Sequence, residues 1–399
     1  MLVLGLQARG EDLSTHCIET EVALNAMHSV ARLGPCGDGR ADALLWHLDR
    51  IDQIGGTLDG YVDRGNRGLG GLIYVMDTGV MAGHREFART GGTSRVIAGF
   101  DATGSVDIGR SDCRSDNKAS APCYENFDEL AASSHGTGVA SVAAGRTVGV
   151  APDASVVSIR VMNERGLATT RTYLEGLEAI IRHAHDASAP QVRTAIVNIS
   201  GWVVERLSSQ GPFGLVSYAT VEQKMREMIG GVDAHGNPDP NGKRFLFVVA
   251  ANNVDGGCGA AGFIDRFPAL LGNRIEGMIT VGGMTANNTA WAGTCRGGVE
   301  VLAPAQQIFS ATITAPDHYR GRKPNLRSGT SFAAPIIAGI AARLLTDRPD
   351  LTPQQLEAWI TATPSRVDDA SEPLAHGRVA YVRSILPAMT SSARATLEP

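Results

Sequence analysis

No stretch of the 399 residues approaches the run of about eighteen apolar residues that a bilayer-spanning helix needs, so a membrane partner is not expected. Nor is there a dense block of Lys or Arg. The 36 basic and 41 acidic side chains leave a net charge of −5, which argues against nucleic acid or an anionic membrane surface as partner. The six cysteines are Cys17, Cys36, Cys113, Cys123, Cys258 and Cys295, and no two form a Cys-x-x-Cys pair, so the common zinc spacing is missing. No carboxylate cluster stands out as a metal site. Repeats, low-complexity tracts and clear linkers are also absent, and one catalytic-sized domain is expected. The opening Met1-Leu-Val-Leu-Gly-Leu6 is too short for a signal-peptide core and soon meets Glu11 and Asp12. Any export signal is therefore expected to have been removed already.

What is present is globular: 43% hydrophobic, 19% charged, and 47 Gly, which favours many tight βα turns over a helical bundle. Short apolar, β-branched runs read as buried strands at Leu72–Met76, Ser155–Met162, Thr194–Ser200, Arg244–Ala251, Gly277–Gly282 and Val299–Ala303. Helical spacing falls between them, at Tyr173–Ala184, Ala219–Ile229, Phe332–Leu345 and Pro353–Thr361, and a short helix is read around Glu19–Arg32. Leu44–Ile51 reads as a segment packed on the main body. Alternation of this kind predicts an α/β fold, a mostly parallel sheet with helices on both faces. An even number of scattered cysteines in Gly/Asp/Asn-rich loops fits disulfides and an oxidising compartment. Closeness in sequence pairs Cys17 with Cys36 and Cys113 with Cys123, leaving Cys258 for Cys295.

Three residues carry the chemistry. Asp77 stands at the carboxyl end of the Leu72–Met76 run, the end where open α/β sheets place their sites. His135 opens a Gly- and Ala-rich helix in Ser133-Ser-His-Gly-Thr-Gly138, whose glycines suggest a close approach to the backbone. Ser331, in Gly329-Thr-Ser-Phe-Ala-Ala334, falls at the N-terminus of a helix apolar nearly all round, where unpaired N–H groups favour a developing oxyanion. Pro335 is read as lying within the tolerance of a first helical turn. Each residue alone has a plainer reading: a turn Asp, a structural His, a Ser N-cap. Together they can form a nucleophile, a base and an orienting acid. Their order, Asp then His then Ser, is that of subtilisin and not of chymotrypsin-like or α/β-hydrolase chains, and Ser331 has no Gly-x-Ser-x-Gly elbow.

On Val75-Met-Asp-Thr-Gly79, His135-Gly-Thr-Gly138 and Gly329-Thr-Ser-Phe-Ala-Ala-Pro335, the sequence resembles the subtilisin family of serine proteases, within it most closely the proteinase K branch. Softer matches at Gly149-Val-Ala-Pro152, Thr280-Val-Gly-Gly283 and the approach Leu44–Ile51 extend the likeness over roughly residues 44–345. The resemblance implies a subtilisin-like fold in which Asp77 orients, His135 is base and acid, and Ser331 is the nucleophile. It places Asn253 in the oxyanion hole, with Asn252 where the family has Gly in Ala-Ala-Gly-Asn, which puts the local backbone in question. It also implies that Arg165-Gly-Leu-Ala168 and Ile199-Ser-Gly-Trp202 hold substrate as an added strand, making Gly166, Leu167, Ala168, Ser200, Gly201 and Trp202 substrate-binding. Trp202 departs from the family's Ser-Leu-Gly-Gly and would either cap a specificity pocket or simply pack on the surface. No cofactor is expected for catalysis; structural calcium is allowed by the resemblance, without an assigned site.

The expected protein is a secreted, extracellular serine endopeptidase, monomeric, acting on polypeptides through an acyl-enzyme on Ser331. Residues 44–390 form its peptidase domain, and 1–43 are an N-terminal extension or propeptide remnant. The same residues would also serve a peptide ligase or cyclase, and the fold alone would serve an inactive binding protein.

Overall fold

The computed structural model describes residues 28–30, 45–52, 58, 61–63, 65–89, 92–103, 134–163, 166–204, 216–255, 257–313, 317, 319–320 and 327–362. Its centre is a sheet of seven strands: β1 (Leu72–Asp77), β2 (Val96–Asp101), β3 (Ser155–Arg160), β4 (Thr194–Ile199), β5 (Arg244–Ala250), β6 (Met278–Met284) and β7 (Val301–Pro304). Every adjacent pair is parallel, in the order β7-β6-β5-β4-β1-β3-β2. The chain builds outward from β1 to one edge, returns, and builds to the other. β1 and β4 therefore meet at a switch point, the place where parallel sheets open a crevice beyond their carboxyl ends.

The helices are α1 (Trp46–Asp52), α2 (His135–Ala144), α3 (Thr170–His185), α4 (Tyr218–Gly230), α5 (Thr330–Asp347) and α6 (Pro353–Thr361). Strand side chains alternate between faces, and both faces are dry. Ile73 and Val75 of β1 join the core of α2 and α5, whereas Leu72, Tyr74 and Met76 join that of α3 and α4. This is why the strands read as continuous apolar runs. α5 lies across β4, β5 and β6 and buries Ile336, Ile337, Ile340 and Leu344. Trimming any one of these to Ala would cost about 2–5 kcal/mol.

Register brings three carboxyl ends level. Met76 lies opposite Ile199, and Ile199 opposite Val249, so the residues just past β1, β4 and β5 share one edge of the sheet. Asp77, Ser200 and the Asn252–Asn253 pair all stand there.

Three expectations are corrected. Residues 28–30, read within a helix, form a short strand antiparallel to Tyr61–Asp63; the rest of that reading lies outside the described residues. Strand β2 was not read from the sequence. Gly99 interrupts its apolar pattern and marks an irregularity in its pairing with β3. Pro335 sits beyond the first turn of α5.

Candidate active site

Asp77 closes β1 and is fully buried. Its Oδ1 accepts from the Thr78 N–H at 2.7 Å, and its two oxygens lie 2.8 and 3.0 Å from Nδ1 of His135. A carboxylate can only accept, so Nδ1 carries the proton and the neutral ring keeps Nε2 as its basic nitrogen. His135 is the first residue of α2. That helix can come close to β1 because Gly136 has no side chain: a Cβ there would stand 2.2 Å from the Gly79 carbonyl. Gly136 N–H donates to the Thr78 hydroxyl, and Met81 N–H to the Thr137 hydroxyl, so the segment just past Asp77 is sewn to the start of α2 at two points.

Ser331 is the second residue of α5. Its N–H belongs to the first turn, where no intrahelical acceptor exists. Its carbonyl would ordinarily accept from the residue four places on, but that residue is Pro335, which has no N–H. The Ser200 hydroxyl donates instead, at 2.8 Å, and itself accepts from the Asn198 side chain at 3.0 Å. The Ser331 hydroxyl donates to the Ser200 carbonyl at 3.0 Å. Asn198 was not singled out in the sequence, though a polar residue inside the apolar run Ala195-Ile-Val-Asn-Ile199 is the kind of signal that points to one.

Asn253 is oriented from the Ser331 helix. Its Oδ1 accepts from both the N–H of Thr330, at 2.9 Å, and the Thr330 hydroxyl, at 3.1 Å. With the oxygen held by a backbone donor, the amide can point only its NH2 elsewhere. Asn252 takes φ +67°, the left-handed region that the resemblance's Gly would occupy freely and that Asn tolerates. Its side chain is buried, with Nδ2 unpaired among the described residues.

His135, Ser331, Asn252 and Asn253 line one cavity of about 290 Å³. Four of the six expected substrate-binding residues, Gly166, Ser200, Gly201 and Trp202, are in the same wall. Leu167 is half-exposed outside it, and Ala168 is buried in a short parallel ladder opposite Val203. Trp202 lines the cavity, and Arg266 lies 5.1 Å over its ring. Thr78, beside Asp77, also lines it; Met162, Asp255 and Gly257 complete the wall and had no distinguishing pattern in the sequence. Behind Asn253, Cys258 is bonded to Cys295 as paired in the sequence; the other four cysteines lie outside the described residues. No three His, Cys, Asp or Glu side chains converge as metal ligands among the described residues, so no calcium site is assigned.

A parallel α/β protein that gathers an Asp–His pair, a helix-borne Ser and an Asn at one sheet edge has the architecture of a nucleophilic hydrolase. The chain belongs to the subtilase family, whose model matches residues 68–379. It is 28% identical over 82% of its length to alkaline serine exoprotease A of Vibrio alginolyticus, and 28% identical over 82% to an extracellular serine proteinase of a Thermus species. The chain spans 48% and 63% of those two proteins. Its fold is similar to the crystal structure of a cold adapted subtilisin-like serine proteinase, with TM-score 0.60 and 27% identity over 84% of this chain and 97% of the other. No described helix is long and apolar enough to cross a membrane.

Proposed function

We propose that this protein is a secreted serine endopeptidase that cleaves polypeptides through an acyl-enzyme on Ser331. The observation that carries the reading is the Asp77–His135 hydrogen bond at 2.8 Å, opening on the cavity that Ser331 and Asn253 also line. A substrate chain lies beside Gly166 and Ser200–Trp202. The Ser331 hydroxyl turns from the Ser200 carbonyl and gives its proton to Nε2 of His135, while Oγ bonds to the scissile carbonyl carbon. Asp77 holds the ring and stabilises the imidazolium. Nδ2 of Asn253 and the N–H of Ser331 receive the developing oxyanion. His135 then protonates the leaving amine, and a water repeats the sequence to free the acid and Ser331.

Secretion is supported by the Cys258–Cys295 bond and by the likeness to the extracellular serine proteinase of the Thermus species. A fluorophosphonate probe with peptide mapping tests the reading. Labelling at Ser331, lost in His135→Ala, is expected; an unlabelled chain, or one labelled elsewhere, overturns it. Mass spectrometry of products from an internal peptide bond separates hydrolysis from ligation and from end-trimming.

A further inference from the structure

Ser134 immediately precedes α2 and is placed to cap it, yet its side chain makes no cap bond. Its carbonyl and its hydroxyl both accept instead from Nη2 of Arg327, the carbonyl at 2.8 Å. The Arg327 side chain is buried and lies directly on the start of the helix: a Cβ on Gly138 would stand 3.2 Å from both Cζ and Nη1. The second glycine of His135-Gly-Thr-Gly138 therefore makes room for a guanidinium.

Two further contacts give this arrangement a direction. The guanidinium lies 5.5 Å over the ring of Phe332, and Phe332 meets the His135 imidazole edge-on, with centroids 5.7 Å apart. Meanwhile the backbone of Arg327 exchanges both hydrogen bonds with Ile308, at 3.2 and 2.7 Å, four residues ahead of Ser331. One residue thus grips the entry to the Ser331 helix with its main chain and the entry to the His135 helix with its side chain. Charge-assisted bonds and a desolvated cation–π contact are directional enough to transmit position.

We infer that Arg327 is a positioning residue: it locks the α2 and α5 entries together and, through Phe332, sets the plane of the His135 ring against Ser331. The inference rests on the peptidase reading above. A displacement of about 1 Å between base and nucleophile costs on the order of 100-fold in rate, so the lock acts on chemistry and not only on stability.

The test uses Arg327→Met, which keeps the stem and loses the cation, with Arg327→Lys and Phe332→Leu, each assayed well below its melting temperature. The expected result for Arg327→Met is a kcat on the order of 10–100-fold lower with KM changed less than about threefold, partly restored in Arg327→Lys. Arg327→Met combined with Phe332→Leu should lose less than the product of the single losses. An unchanged kcat in folded Arg327→Met, or strict additivity, overturns the inference. Should Arg327→Met not fold, Arg327→Lys and Phe332→Leu decide: kcat equal to the parent in both overturns it. The low-field proton resonance of His135 Nδ1–H needs no turnover. It should be sharp in the parent and broadened in Arg327→Met or Arg327→Lys. A parent that cleaves nothing yet shows this change defeats the peptidase reading and keeps the lock; an active parent whose resonance is identical in the variants defeats the lock alone.

Discussion

Ser200 and Ser331 hold each other by two hydrogen bonds running in opposite directions, from the Ser200 hydroxyl to the Ser331 carbonyl at 2.8 Å and from the Ser331 hydroxyl to the Ser200 carbonyl at 3.0 Å. The first replaces the helical bond that Pro335 cannot make. The second points the Ser331 hydroxyl at the Ser200 carbonyl; on the proposed mechanism, a rotation about one side-chain bond precedes attack.

Ser200→Ala tests this pair. It leaves the Ser331 carbonyl without its donor and the buried Asn198 amide without its acceptor, and should lower stability by about 1–3 kcal/mol. Urea denaturation measures the loss, and Ser200→Thr, which keeps the hydroxyl, should recover most of it. An unchanged midpoint for Ser200→Ala would show that the bond to Ser331 contributes nothing.

The neighbouring amides Asn252 and Asn253 should respond oppositely. Asn253→Leu removes the donor presented by Thr330 and should cut kcat on the order of 10²–10³-fold with little change in KM, a magnitude for one oxyanion donor that itself comes from subtilisin. Asn252→Gly relieves a left-handed side chain and an unpaired buried Nδ2, so its stability should equal or exceed the parent's and its kcat should stay within a few-fold. A crippled Asn252→Gly beside an active Asn253→Leu would exchange their roles.

Away from the site, Glu300 ties stability to pH. Burial, with Glu357 beside it, pushes its carboxyl from 4.5 up to about 8, while its Oε2 accepts from the Thr280 N–H at 2.7 Å. Its folded value is raised, so its contribution is complete below about 4.5 and is lost as pH rises through about 8. The urea midpoint of the parent should therefore fall between pH 6 and pH 9, and that of Glu300→Gln should fall less. Equal slopes would exclude Glu300 as the source.

The Cys258–Cys295 bond closes a loop behind Asn253, whose backbone bridges to Thr294 beside Cys295. A peptide map without reduction should contain these two cysteines linked. Replacing both by Ala should cost about 2–4 kcal/mol. Free thiols at both positions would remove the support this bond gives to secretion.

Asp77, His135 and Ser331 were legible in the sequence because each sits at an element boundary that punctuation marks: an acid ending an apolar run, a His before Gly-Thr-Gly, a Ser before a helix apolar all round. The six strands that were read share one property, continuous burial on both faces, and β2 escaped because Gly99 breaks that pattern. Ser200 could be placed near substrate, but its bond to Ser331 depends on a missing proline N–H and a register across β1, β4 and β5. Arg327 left no trace at all. Its partners, Ser134 and Phe332, are brought to it by packing, and periodicity carries no information about such a meeting. The first-turn reading of Pro335 failed because Pro335 is the sixth residue of α5, where a backbone N–H would already be due to the Ser331 carbonyl.

His135, Asn253 and Ser331, which would touch the scissile bond, come from three distant parts of the chain and meet by the level edge where β1, β4 and β5 run out. During synthesis the acid emerges first and the nucleophile last, with most of the sheet between them. On the proposed mechanism, a nascent chain interrupted between α2 and α5 carries a base with nothing to activate. On that mechanism, reactivity is a property of the finished topology and waits for the last large helix to dock.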